Sequence, residues 1–179
     1  KLHIDEQFDK SQLKSPVYLL RQGDNYTYYN IRILANWVDA KYCGVTHEYL
    51  DVKSKIAHKK LDSLKIIDIN DGGSKSNKFD RDLKLLLQGL QDDPNNVRYN
   101  FYLANTYFSL KKYEEALKFY ENHANIVIWN EEHFYNYYRQ GICYQLLGKE
   151  EKMIEMWLKA WFTRQTRVES LYEIIKHYR

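Results

Sequence analysis

The chain of 179 residues is 44% hydrophobic and 28% charged, which suits one ordinary domain or two small ones and argues against intrinsic disorder. Its net charge of +3 is spread without a long Lys/Arg run, so nucleic acid is excluded as the main partner, because binding to a phosphate backbone needs a dense basic surface. No apolar run approaches the roughly 20 residues that span a bilayer, and the distant Cys43 and Cys143 fit reduced thiols better than a disulfide framework, so we expect a soluble cytoplasmic protein.

The first part of the chain favours strands. Residues 17–22 and 26–34 are rich in β-branched and aromatic residues, and the Gly-Asp-Asn connection between them predicts a β-hairpin. Two shorter strand-like stretches follow, over 37–46 and 64–69. A hairpin with two short strands is a poor independent fold. Since the chain also begins at Lys1 and not at a methionine, we expect it to be a piece of a longer protein.

A His-Glu pair near the end of this strand-rich part is a candidate for chemistry. His47 and Glu48 stand side by side behind Gly44, and a glycine allows another backbone or a ligand to approach closely. A glutamate at a strand end beside a histidine could serve as a general base. The simpler interpretation is an ordinary surface or hydrogen-bonded pair.

The second part of the chain reads as helical. From Arg81 onwards the apolar residues recur with the period of a helix. Asp80 is expected to cap that helix, with Asp82 in its first turn, where a carboxylate suits the helix dipole. The Asp-Pro-Asn-Asn segment at 93–96 ends this helix and starts the next. An amphipathic stretch over 168–178 predicts a last helix that caps the stack.

Within the helical part, two sets of four residues have the same internal spacing and lie 37 residues apart. They are Ala104, Tyr107, Ala116 and Tyr120, followed by Gly141, Tyr144, Met153 and Trp157. Small residues let paired helices approach, and the large ones fill the groove between them. This pattern resembles the tetratricopeptide repeat, whose period is about 34 residues. Ala160 fits the pattern, whereas His123 stands where another small residue is expected.

Over residues 15–179 the chain also resembles the C-terminal half of GT-A glycosyltransferases that carry a tetratricopeptide-like tail. Three motifs carry this resemblance: Gly-Val-x-His-Glu-Tyr-Leu, Asp-Gly-Gly-Ser-Lys-Ser-x-Lys-Phe-x-Arg-Asp and Asp-Pro-Asn-Asn-x-Arg-Tyr-x-Phe-Tyr-Leu-Ala. The resemblance implies an α+β fold with a strand-rich remnant of a GT-A sheet over 1–70, a linker loop over 71–80 and helical repeats over 81–179.

The same resemblance implies an activity. Such enzymes are typically inverting, and they use Mn²⁺ or Mg²⁺ to bind a nucleotide-sugar donor. They transfer a hexose to a hydroxyl group of a protein or glycan acceptor. The nucleotide-binding half, with its Asp-x-Asp motif, is missing from this chain, so the isolated chain is expected to be inactive.

The resemblance also assigns roles to individual residues. Glu48 is the candidate base, and His47 orients it or faces the metal. Lys78 and Arg81, at a helix N-terminus, would face the donor diphosphate, where cations and exposed N–H groups both favour an anion. Two acidic residues, Asp68 and Asp71, are candidates for the divalent metal, although solvated loop residues are the simpler interpretation of both.

The alternative to an enzyme is a non-catalytic tetratricopeptide-like module that binds a protein partner or a second copy of the chain. The face that the first repeat would present to a partner or an acceptor carries Arg98, Phe101, Asn105 and Phe108. Only the asparagine suits the clamp with which some repeats hold a C-terminal carboxylate, which argues against a co-chaperone of that type.

Overall fold

Strands occupy the first part of the chain and helices the rest, so the fold is mixed α+β. A computed structural model of the protein describes residues 1–23, 27–53, 55–67, 78–125 and 129–179. The chain divides into two compact units, Lys1–Lys75 and Ser76–Arg179.

The first unit contains a four-stranded sheet and a separate two-stranded ribbon. The strands are β1 (Leu2–Ile4), β2 (Val17–Gln22), β3 (Tyr28–Leu34), β4 (Ala40–Cys43), β5 (Tyr49–Val52) and β6 (His58–Ile66), and a short 3-10 helix covers Lys10–Gln12. The sheet order is β1-β6-β2-β3, and β4 pairs with β5. The two arms of the predicted hairpin are β2 and β3, which run antiparallel from Val17 opposite Leu34 to Gln22 opposite Tyr28.

Strand β6 is a central strand of the four-stranded sheet. It runs antiparallel to β1 on one side and parallel to β2 on the other. Most of the buried side chains of this unit lie on β2, at Val17, Tyr18 and Leu20, and β6 adds Leu64. The hydroxyl oxygen of Tyr18 accepts hydrogen bonds from the backbone N–H groups of two residues just before β2, so this oxygen is hydrogen-bonded although the side chain is buried.

Within the described residues, the second unit contains six helices, each packed against the next in the chain. They are α1 (Lys78–Asp92), α2 (Val97–Ser109), α3 (Tyr113–Ala124), α4 (Asn130–Leu146), α5 (Glu150–Thr163) and α6 (Glu169–His177). The side chain of Asn96 accepts a hydrogen bond from the backbone N–H of Tyr99 and caps α2. At α1 the expected cap is wrong, because this helix begins at Lys78 and Asp80 therefore lies inside its first turn. No helix within the described residues has the length and apolarity needed to cross a membrane.

The two predicted sets of repeat residues form the core of the helical unit. All of them are buried except Tyr107, which is half-buried. The closest approach involves Gly141 of α4 and Trp157 of α5. A Cβ atom at Gly141 would lie 2.3 Å from the indole Cδ1 and Nε1 atoms, so only glycine fits against the ring. The indole Nε1 donates a hydrogen bond of 3.2 Å to the backbone carbonyl of Tyr138.

Replacing Gly141 with alanine should lower the free energy of unfolding by about 1–3 kcal/mol, because overpacking forces the indole or a helix to move. Helix propensity favours alanine over glycine by ~1 kcal/mol. A loss of stability would therefore show that the collision with the indole outweighs the gain in helix propensity. Urea unfolding followed by far-UV circular dichroism measures the change. In a Trp157→Leu background the same substitution should be neutral or stabilising, and an equal loss in that background would rule out the indole contact as the cause.

The last helix, α6, exposes several large apolar side chains. Ser170 is its buried residue, while Tyr172 and Ile175 are exposed, as are the flanking Val168 and Tyr178. The exposed Lys176 and His177 lie in the last turn of the same helix.

Candidate functional site

A groove lies between α2 and α4, the first helices of the two repeats. Its volume is ≈ 350 Å³. Its lining residues are Arg98, Phe101, Tyr102 and Asn105 on one side and Trp129, Glu131, Glu132 and Tyr135 on the other. Each repeat therefore supplies one wall of the groove.

Aromatic rings form much of the groove surface, with Phe101 at the centre. The Phe101 ring centroid lies 5.6 Å from that of Tyr102 and 5.8 Å from that of Tyr135, both in edge-to-face geometry. The His123 ring lies 5.1 Å from the Phe101 centroid. Trp129, just before α4, is exposed. The groove thus offers a largely aromatic contact surface.

The charged residues of the groove differ in how they are paired. Glu131 forms ion pairs with Arg164 and Arg167. Arg98 stacks over the Tyr102 ring at 5.2 Å and donates a hydrogen bond to the Tyr102 hydroxyl. The half-buried Glu132 carboxylate has one oxygen 3.7 Å from Nε2 of the fully buried His123.

A buried polar network connects α3 to α4 at His123. The Asn136 side-chain N–H₂ group donates to the backbone carbonyl of Tyr120 at 3.0 Å and also lies 2.9 Å from His123 Nδ1. A carbonyl oxygen only accepts, so the amide orientation is fixed, and Nδ1 of the histidine must accept as well. The Asn136 oxygen in turn accepts from Gln140.

This arrangement fixes the protonation state of His123. Because Nδ1 accepts, the proton of the neutral ring lies on Nε2, and Nε2 has no hydrogen-bond partner among the described residues. Burial, helped by the charge of His133, lowers the pKa of His123 to about 4, so the ring is neutral at pH 7. Burial also raises the pKa of Glu132. The contact between His123 and Glu132 is therefore not an ion pair at neutral pH.

Of the four predicted face residues, Arg98, Phe101 and Asn105 line the groove and Phe108 does not. The Asn105 amide donates to the Phe101 carbonyl and accepts from the buried Tyr120 hydroxyl. Phe108 lies farther along α2, where its ring contacts the guanidinium group of Arg139 at 4.4 Å. The role of all four residues in binding stays a prediction.

The predicted catalytic pair lies in a turn of the first unit. Both His47 and Glu48 are exposed in the connection between β4 and β5. This connection has positive φ angles at Gly44 (+108°) and His47 (+50°), which is turn geometry and not the end of a strand in the four-stranded sheet. Neither this geometry nor the exposure of the two side chains tests their catalytic role, which stays a prediction.

The predicted donor and metal residues are only partly described. Lys78 and Arg81 are exposed in the first turn of α1, with Arg81 3.7 Å from the carboxylate of the buried Asp82. Asp68 and Asp71 lie outside the described residues. Within the described ranges, no group of three or more His, Cys, Asp or Glu side chains could hold a metal ion.

Comparisons with known proteins identify the helical fold. The tetratricopeptide repeat family matches residues 85–118. Among solved structures, the N-terminal domain of stress-induced protein-1 (STI-1) from C. elegans is 16% identical with a TM-score of 0.53, over 59% of this chain and 85% of that one. The first TPR of Spaghetti (RPAP3), bound to the HSP90 peptide SRMEEVD, is 24% identical with a TM-score of 0.50, over 57% and 79%. The helical unit therefore has the tetratricopeptide fold, as the repeat spacing predicts.

A third similar structure is that of MamA AMB-1, which is 27% identical with a TM-score of 0.46 and matches 51% of this chain. The chain spans about half of that protein, since the match covers 48% of it. None of the curated proteins matches the chain.

The predicted glycosyltransferase is wrong. The family match and these similar structures are tetratricopeptide repeat proteins, and none points to a glycosyltransferase. The third motif that carried the resemblance, Asp-Pro-Asn-Asn-x-Arg-Tyr-x-Phe-Tyr-Leu-Ala, forms the capped turn between α1 and α2 and the start of α2. A helical repeat needs such a turn and helix whatever protein carries it. The GT-A sheet remnant, the nucleotide-sugar donor and the hexose transfer are therefore not supported. The divalent metal, inferred from the same resemblance, stays an untested expectation.

Proposed function

We propose that the helical unit is a protein-interaction module that binds an extended segment of a partner protein in the groove between α2 and α4. The observation that carries this proposal is the aromatic surface that the first helices of two consecutive repeats build together, with Phe101 at its centre and Trp129 at its edge.

The chemistry of the groove supports a protein partner. Tyrosine, tryptophan and arginine are the residues that contribute most to binding energy at protein interfaces, and all three line this groove. An exposed tryptophan gains free energy when a partner removes it from water. The similar RPAP3 structure, whose fold is shared with this chain, holds a peptide, which favours a peptide as the ligand here too.

Two exposed aromatic residues provide a matched test of this function. Trp129 lines the groove, whereas Phe162 on α5 does not, yet both are 66% exposed. Peptides selected from a random displayed library against the full chain should bind the Trp129→Ala variant about tenfold more weakly or worse. Their affinity for Phe162→Ala should be unchanged.

Both substitutions are at exposed positions, so circular dichroism should show intact helices in each variant. The proposal fails if selection yields no binding peptide. It also fails if the selected peptides bind Trp129→Ala as tightly as the unchanged protein. Peptides that lose affinity only for Phe162→Ala would place the binding surface elsewhere on the helical unit.

A further inference from the structure

The carboxylate of Glu132 is half-buried in the groove, and no cation among the described residues contacts it. One of its oxygens lies 3.7 Å from Nε2 of His123, whose ring is neutral at pH 7. Among the described residues no lysine or arginine forms an ion pair with it. Burial raises the pKa of Glu132 and prevails over the charges of Arg98 and His133, which act on the carboxylate from a distance and favour its charged form. A carboxylate in this position gains from a cation brought by a ligand.

The adjacent glutamate shows the contrast. Glu131, one residue earlier in the same groove, is neutralised by Arg164 and Arg167. Within the part of the chain that the structure describes, two arginines therefore contact one carboxylate of the groove, and no cation contacts the other. This difference indicates that the charge of Glu132 is left for a partner.

A second, independent observation points to the same position. The side chain of His123 is fully buried, and its Nε2–H has no hydrogen-bond partner among the described residues. This N–H lies 3.7 Å from a Glu132 carboxylate oxygen. A buried donor without a partner costs free energy. This cost falls if a bound ligand brings the Glu132 carboxylate or a water molecule within hydrogen-bond distance of the His123 Nε2–H.

The aromatic lining suits a cation. Trp129 and Phe101 line the groove together with Glu132, and the faces of such rings attract a lysine ammonium or an arginine guanidinium group. A carboxylate next to aromatic rings binds a cation through both effects, while the methylene stem of the cationic side chain packs on the rings.

We propose that the groove selects its partner segment through a lysine or arginine side chain that pairs with the Glu132 carboxylate and packs against Phe101 and Trp129. This inference rests on the proposed function and adds the chemistry of the partner. A groove with this chemistry would select a partner segment with a basic side chain and not an acidic segment.

The test uses peptides that depend on Trp129, obtained by the selection described above. They should share a lysine or arginine at one position. Replacing this residue by Nε-acetyllysine in a synthetic peptide, or by citrulline where it is an arginine, should weaken binding about tenfold, as should Glu132→Gln in the protein. The two losses should not add, because each removes the same pair.

The control is Glu151→Gln, since Glu151 is also an acidic residue in the first turn of a repeat helix, α5, but does not line the groove. The affinity of the Glu151→Gln variant for the selected peptides should equal that of the unchanged protein. Trp129-dependent peptides without a shared cation, or two losses that add fully, would overturn the inference and leave the proposed function intact. A shared acidic residue would overturn it in favour of Arg98. If no peptide depends on Trp129, the proposed function itself fails.

Discussion

Replacing Trp157 with alanine is expected to lower the free energy of unfolding of the helical unit by about 3–5 kcal/mol. Its side chain is fully buried in the core cluster of the two repeats, next to Gly141, Met153 and Tyr144. Removing the indole leaves a cavity and also removes its hydrogen bond to the Tyr138 carbonyl. Because a domain is typically stable by only about 5–15 kcal/mol, urea unfolding followed by far-UV circular dichroism should show a large shift of the midpoint.

The matched control for this substitution is Trp161→Ala, one helical turn later on α5. Trp161 is only half-buried and lies outside the buried core, so its loss should cost clearly less. Equal losses at the two positions would contradict the assignment of Trp157 as the centre of the core.

The stability of the helical unit is expected to fall by about 3 kcal/mol as the pH drops from 6.5 to about 4, because His123 must take up a proton on unfolding. Its pKa is 6.5 in an unfolded chain and is lowered to about 4 in the fold. Between these values the unfolded state binds more protons, so stability rises with pH in this window and is fully present above it. Urea unfolding at a series of pH values measures the slope.

The histidine can be isolated by comparison with His123→Asn. The asparagine oxygen can accept the hydrogen bond from Asn136 but does not titrate. The raised pKa of Glu132 acts in the opposite sense near the acidic end, since its contribution to stability is lost as pH rises. This glutamate is present in both proteins. The difference between the two pH profiles therefore reports His123, and parallel profiles would show that another group is responsible.

The helical repeats could be predicted from the sequence because their determinants are local. The spacing of Ala104 and Tyr120, repeated at Gly141 and Trp157, follows from the way two neighbouring helices pack. The sheet was harder to predict. Strand β6 begins at His58 in a polar stretch, and its exposed Lys59 and Lys60 give no strand signal. It is a strand because it pairs with β1 and β2, which are distant in sequence.

The groove was predicted on one side only. The helical period places Arg98, Phe101 and Asn105 on one face of α2, whereas the contribution of Glu132 depends on how α4 meets α2 and α3. One signal was present in the sequence: His123 replaces the small residue that the repeat pattern expects, and it marks the buried network beneath the groove. The glycosyltransferase interpretation failed in part because its third motif, without geometry, could not be told from the capped turn and helix of a helical repeat.

The two repeats fill equivalent positions between their paired helices with different pairs of residues. Where the first repeat has Ala104 and Tyr120, the second has Gly141 and Trp157, so a smaller first residue accompanies a larger second one at equivalent positions. Volume-conserving exchanges are tolerated best in a packed core. If both repeats derive from one that had alanine and tyrosine at these positions, an intermediate with glycine and tyrosine would avoid the collision that alanine and tryptophan would make.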